Sequence, residues 1–335
     1  MSNKLKRDIK ILVFEFVTGG GMIQQELPES LAREGGLMLK ALIEELAMLP
    51  SVQITMLLDW RCQKMDLPDG IEVIMLSTGQ YVYDVLPTLI EKTDLVWPIV
   101  PEMDGELQKF STLVEAKAKQ LLNSSVEAVR ICSDKLITAQ LLKKHGIAVV
   151  ETSLFDKFSA DLFEPCVVKP KDGVGCINCF LISNINEFEQ IYKLIKNKSD
   201  YIIQPYIKGE TISLSCLFKN GKAWLLCCNQ QQISISKGQF ELDACVVNIP
   251  SNSMEIYQGI IDQIAKVIPG LWGYVGIDII HTKNRQPLII EINPRLTTSY
   301  VGLYQALGIN VVQNVMEMIN GEPQINRTNN RPVTV

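Results

Sequence analysis

Three side chains in the stretch GYVGIDIIHTKNRQPLIIEINPR, residues 273–295, could together hold a hard cation: Asp278, Glu291 and Asn293. Residues 274–280 and 287–292 are rich in β-branched side chains and flank the turn-forming segment TKNR at 282–285, so they are expected to pair as a hairpin. Glu291 and Asn293 lie two apart and share a strand face, and Asp278 can reach them from the partner strand. An oxygen-only donor set suits magnesium, which takes one or two carboxylates together with substrate phosphate. Only two histidines, His145 and His281, are present, which argues against a histidine-built transition-metal centre. The competing reading is an edge hairpin whose acids pair with Arg285 and Arg295.

A lysine and glycine pattern upstream suits phosphate. VVKP at 167–170 puts Lys169 at the end of an apolar strand, directly before KDGVG at 171–175. An ammonium is a point charge for phosphate oxygens, and a loop containing Gly173, Val174 and Gly175 lets backbone N–H groups approach the same oxygens. The pattern G-x-x-x-x-G-K-[ST] is absent, so this is not a Walker A loop. A lysine merely exposed at a strand end is the alternative. The segment QPYIKGE at 204–210 reads as a linker whose Gln204 and backbone could meet an adenine edge and whose Glu210 could bind a ribose diol, or else as a plain connecting turn.

These residues need a scaffold, and the pattern of the chain supplies one in three parts. Strands at 11–16, 53–58, 72–76 and 94–99 alternate with helices at 37–49 and 82–91, which predicts a parallel α/β sheet with ligands beyond the carboxyl ends of its strands. TGGG at 18–21 follows the first strand and is expected to face substrate, with Glu15, Gly20, Glu34 and Gly35 as candidates. Its spacing is not G-x-G-x-x-G and no helix begins directly after it, which disfavours a dinucleotide; a simple glycine turn stays open. A second unit should carry helices at 133–145 and 185–196 and strands at 166–169, 177–182 and 201–204. A third, mostly antiparallel, should hold strands at 213–218 and 223–229, the hairpin, and helices at 253–267 and 311–319. The expected division is 1–128, 129–207, 208–320, and a polar, loosely held tail at 321–335.

Composition narrows the functional class. The chain has 335 residues, 47% of them apolar, and a net charge of −5, enough for two or three domains with a large core. No basic stripe suggests nucleic acid, and no apolar run is long enough to span a membrane. With no targeting signal in view, the cytoplasm is the expected compartment. The nine cysteines are an odd number and many fall in apolar strand patterns, as suits small hydrophobes in a reducing compartment. Cys176 and Cys179 form a C-x-x-C, but no second pair completes a zinc set.

Lys135 in SDK, Lys169 in VVKP, DGVG, QPYIKGE, and the hairpin carrying Asp278 and EIN at 291–293 occur in the order and approximate spacing of the ATP-grasp superfamily, which the chain resembles over residues 133–295. The resemblance implies an α/β and α+β chain with an ATP-grasp fold after an amino-terminal parallel α/β (pre-ATP-grasp) domain. It also implies ATP between the small unit and the larger sheet. Lys135, Lys169 and the loop of Gly173, Val174 and Gly175 would meet the phosphates, Gln204, Tyr206 and Ile207 the adenine, and Glu210 the ribose. Asp278, Glu291 and Asn293 would hold Mg2+, with Mn2+ as a substitute. The loop is expected to be mobile and to close over ATP.

In this superfamily a carboxylate attacks the γ-phosphate to give an acyl phosphate, which an amine then converts to an amide. Arg295 resembles the arginine that steadies the carboxylate or acyl phosphate; a salt bridge to Asp278 or Glu291 is the alternative. A basic residue often faces the phosphates from the central sheet, and here only Asn229, Gln230, Gln231 and Lys237 are on offer, with no assignment among them. EFVTGGG at 15–21, Glu34-Gly35 and EINPRLTTSYVGL at 291–303 resemble a narrower branch, the tyramine–glutamate ligases of methanofuran-type cofactor synthesis and their bacterial relatives. There the γ-carboxylate of glutamate is joined to tyramine, and Thr297, Thr298 and Ser299 would line the site beside Arg295 or, equally, cap a helix.

The expected function is therefore an ATP- and magnesium-dependent carboxylate–amine ligase acting on two small molecules. A homodimer is compatible with such an enzyme. A phosphotransferase acting on a small carboxylate and a non-catalytic nucleotide-binding module are the alternatives.

Overall fold

The computed structural model describes residues 8–62, 65–157, 164–282 and 286–335. The expected turn residues 283–285 therefore lie outside the described residues, as do the first seven.

The amino-terminal part runs β1 (Ile9–Glu15), α1 (Glu29–Ala47), β2 (Val52–Asp59), β3 (Glu72–Leu76), α2 (Val82–Lys92), β4 (Leu95–Ile99), α3 (Glu106–Ala116) and β5 (Gln120–Leu121). Its five strands are parallel, in the order β3-β2-β1-β4-β5. β1 is central and Ile11 to Phe14 are fully buried, so the strand reads as one continuous apolar run. Its side chains still alternate. Ile11 and Val13 pack with Leu39, Leu42 and Leu46 of α1, and Leu12 and Phe14 pack with Leu86 of α2 and Phe110 of α3. Helix α3 is absent from the expected elements, although Leu107, Phe110 and Val114 form its buried stripe.

Next come α4 (Val126–Ser133), α5 (Lys135–Lys144), β6 (Ser153–Leu154), β7 (Cys166–Pro170), β8 (Phe180–Ile182), α6 (Ile185–Leu194) and β9 (Tyr201–Pro205). The last part holds β10 (Glu210–Lys219), β11 (Lys222–Ser236), β12 (Gln239–Val247), α7 (Met254–Val267), β13 (Gly273–His281), β14 (Leu288–Asn293), α8 (Leu303–Leu307), α9 (Val311–Asn320) and β15 (Val333–Thr334). Strand β12 is a further unanticipated element, because most of its residues are exposed or half-buried and its apolar signal is weak.

Two of the expected boundaries differ. The division at 128 falls inside α4, and β12 pairs with β8 through Gln239 and Phe180, joining the second and third parts into one sheet in the order β14-β13-β10-β11-β12-β8-β7-β9-β6. The tail is not loosely held. β15 pairs with β12, Val335 exchanges backbone hydrogen bonds of 2.9 and 3.0 Å with Cys245, and the N–H groups of Thr328 and Asn329 donate to the Leu307 carbonyl. Backbone pairing of this kind leaves no mark in side-chain polarity. All nine cysteines are free thiols, and among the described residues no helix is long and apolar enough to cross a membrane.

Candidate active site

A cavity of about 460 Å³ lies between the β7–β9 layer and the β10–β14 sheet, within the size range of ligand pockets. On its floor Asp278 of β13 stands directly opposite Glu291 of β14, with Asn293 two residues farther along. The Asn293 amide donates to Asp278 Oδ2 at 3.2 Å, and Gln231 Nε2 of β11 donates to Asp278 Oδ1 at 3.1 Å. Burial, and then the facing charge of Glu291, push the Asp278 carboxyl well above the usual carboxylate range. Burial also works against Glu291, but Lys135 and Lys169 together outweigh it and hold that carboxylate below the usual range. Two carboxylates facing each other in a buried cavity repel unless a cation or a proton sits with them. That donor set, two carboxylates and an amide, fits a hard divalent ion. No group of three His, Cys, Asp or Glu side chains gathers among the described residues.

Lys135 opens α5, where the Asp134 carboxylate caps the helix by accepting from the N–H groups of Leu136 and Ile137 at 2.9 and 3.1 Å. The cap delivers the Lys135 ammonium into the site, 3.2 Å from Glu291 Oε2, where it also donates to the Gly173 carbonyl at 2.6 Å. One lysine therefore ties the glycine loop to the carboxylate pair. Lys169, Gly173, Val174, Gly175, Gln204, Tyr206 and Ile207 all line the same cavity, and Gln204 is held by a bond of 2.9 Å to Thr152 Oγ1.

Glu210 does not join them. It opens β10 as an exposed residue opposite His281, whereas Thr211 and Ser213 face the cavity. Strand alternation puts Glu210 on the other face. The central sheet presents Gln231 and no lysine; Lys237 sits outside the cavity lining, in the tight turn between β11 and β12. Gln231, Ile233 and Ile235 form the wall at period two, a signal the sequence carried but that the expected strand, ending at 229, cut short.

Arg295 lines the cavity and pairs with neither Asp278 nor Glu291. Its Nε donates to Glu102 Oε2 at 2.8 Å, with the two side chains only 13% and 5% exposed. Glu102 follows β4 in the amino-terminal part and belongs to no expected motif. The same turn reaches the glycine loop, where the Asp104 N–H donates to Asp172 Oδ2 at 3.0 Å.

A second cavity of about 60 Å³ opens beneath α1. Of its lining residues only Glu34, Val174, Gly175 and Arg295 also line the larger cavity. Thr298 donates its hydroxyl to Glu34 Oε1, and Thr297, which opens the turn, makes no side-chain cap. Glu15 borders the second cavity but is turned onto its own backbone. Its carboxylate accepts from the Val17 N–H at 3.1 Å, the Thr18 N–H at 2.5 Å and the Thr18 hydroxyl at 2.6 Å, while burial pushes it up to about 6. Gly35 makes this packing possible, since a Cβ there would lie 2.6 Å from the Glu15 carboxyl carbon. Gly20 does not face substrate: it is buried at φ 93° against Leu76, outside both cavities.

Comparison with known proteins identifies two domain families along the chain. Residues 132–299 match the model of the ATP-grasp domain, and residues 52–129 match that of the pre ATP-grasp 3 domain. The chain is similar to the tyramine–L-glutamate ligase of Methanocaldococcus fervens, with 27% identity over 88% of this chain and 89% of that protein. The ligase of the same name in Methanocaldococcus jannaschii is 26% identical over 88% of this chain and 84% of its own. Among solved structures, a protein of Archaeoglobus fulgidus assigned to the ATP-grasp superfamily superposes with a TM-score of 0.72 at 23% identity, covering 98% of this chain and 92% of that one.

Proposed function

Because this chain belongs to the ATP-grasp family, we propose that it is an ADP-forming ligase that activates a small carboxylate as an acyl phosphate and transfers it to a primary amine. The observation carrying this reading is the junction of the two cavities. Nucleotide-suited residues fill the larger one, and Arg295, among the described residues the only guanidinium lining either cavity, stands where the smaller one opens into it.

Lys135 and Lys169 bind and orient the phosphates, and the glycine loop covers them, excluding water from a reactive anhydride. Asp278, Glu291 and Asn293 would hold magnesium, which when bound neutralises charge on the transferred phosphoryl group. The acid's carboxylate attacks the γ-phosphorus and ADP leaves; Arg295, held by Glu102 through Nε and by the Leu296 carbonyl through Nη1, presents its Nη2 group to the carboxylate. L-Glutamate and tyramine are the first substrates to test, because the relatives named above are tyramine–L-glutamate ligases; the γ-carboxylate is the one to examine first.

The test is ADP release with ATP and Mg2+ across a matrix of amino acids and amines, with mass spectrometry of the products. An amide and ADP appearing in equal amounts, only when acid and amine are both present, is the expected result. A stable phosphorylated product formed without any amine would replace this reading with a phosphotransferase.

A further inference from the structure

We infer that the cavity beneath α1 is the amine pocket of the proposed ligase and that Glu34, at its mouth, is the base that receives the ammonium proton. Phe16, Val17, Met22, Leu31, Met38 and Met103 make its walls apolar. Arg61 stands behind that lining and fixes the Met22 wall, donating to the Met22 carbonyl at 2.9 Å while paired with the fully buried Asp59. A fixed apolar pocket with a carboxylate at its mouth suits a primary ammonium carrying an apolar substituent. A carboxylate substrate would be repelled there: Glu15 lies behind Glu34 on β1, and Glu102 already occupies one edge of the Arg295 guanidinium.

The placement of Glu34 follows from the shared wall. Of the four described residues lining both cavities, Val174 and Gly175 carry no charge and Arg295 is a cation, leaving Glu34 as the one proton acceptor among them. Thr298 holds its carboxylate from the side of the larger cavity. The charged groups around Glu34 are thus Glu15 from β1 and Arg295 from the segment after β14, with Glu102 beyond the guanidinium and Lys135 and Lys169 deeper in the larger cavity.

This assignment rests on the ligase reading. One ammonium proton passes to Glu34, the neutral nitrogen attacks the acyl carbon, and the C–N bond forms as the C–O bond to phosphate breaks. Phosphate leaves with that electron pair and takes the second nitrogen proton as hydrogen phosphate.

The experiment compares two nucleophiles in the unaltered protein and in Glu34→Gln. Hydroxylamine is neutral at pH 7 and traps an acyl phosphate as a hydroxamate without needing a base; an alkylamine arrives as ammonium. In Glu34→Gln we expect kcat for the alkylamine to fall at least 100-fold, hydroxamate formation to fall less than tenfold, and the alkylamine rate to recover tenfold per pH unit as free amine accumulates. Met103→Trp, which fills the pocket, should raise KM at least tenfold for amines with apolar substituents and leave KM for methylamine within twofold. Equal losses for both nucleophiles, or no recovery with pH, would overturn Glu34 as the base. A Met103→Trp effect independent of amine size would overturn the pocket. Absence of hydroxamate in the unaltered protein with every acid would sink the ligase reading, and this assignment with it.

Discussion

Gly20 shows how a residue with a functional look can have a packing role. Its φ of 93° lies where side chains are strained, and a Cβ would stand 2.7 Å from Leu76 Cδ1. Gly20→Ala should cost about 2 kcal/mol of stability, read from urea unfolding, and leave ATP turnover per folded molecule unchanged. Loss of turnover at full stability would return the residue to the site. The carboxylate pair, by contrast, was legible, because period-two alternation on two adjacent paired strands brings Asp278, Glu291 and Asn293 together whatever the rest of the chain does. The partner of Arg295 was not. Glu102 lies 193 residues away, on the other side of the domain boundary, and no local rule relates the two.

At the scale of elements, α1 and α9 meet through Glu45, whose buried carboxylate accepts from the Val312 N–H at 3.2 Å at the start of α9. Burial pushes it from 4.5 up to about 7, more than its bonds to α9 pull it down. Between those values the folded protein holds a proton that the unfolded chain has lost. This stabilisation is therefore fully present below pH 4.5 and is lost as pH rises through about 7. At 1.36 kcal/mol per unit it amounts to about 3 kcal/mol. Glu45→Gln should remove that slope: the difference in unfolding free energy between variant and parent should change by about 3 kcal/mol from pH 4.5 to 7, and a constant difference would refute the assignment. Among the elements, strong apolar period made β1, β4, α7 and α9 readable, while β12 and β15 escaped because the backbone ladder, rather than buried side chains, holds them.

Across the whole molecule, the hydrophobic cluster on one face of the amino-terminal sheet runs without interruption from Ile11 and Leu42 to Leu303, Val311 and Met318, so the first and last parts of the chain share a core. The larger cavity is walled by the second and third parts together with Glu34 of the first, and the smaller cavity by all three. Nucleotide bound there should stabilise the entire chain. ADP with Mg2+ at about 100 times its dissociation constant would add about 2.7 kcal/mol, a rise of several degrees in Tm. Replacing Mg2+ with EDTA should shrink that rise in the parent protein and change nothing further in Asp278→Asn. An equal response of both proteins to EDTA would count against a metal at Asp278 and Glu291. By itself the sequence determined the strand-borne acids, the lysine and glycine loop and the family they indicate, since these depend on alternation, turns and order along the chain. Only the tertiary structure decided that Glu210 faces away, that Gly20 is a packing residue, that Arg295 is set by Glu102, and that Glu34 stands between two cavities. Each of these depends on which distant surfaces the shared core presses together, and local spacing carries no record of that.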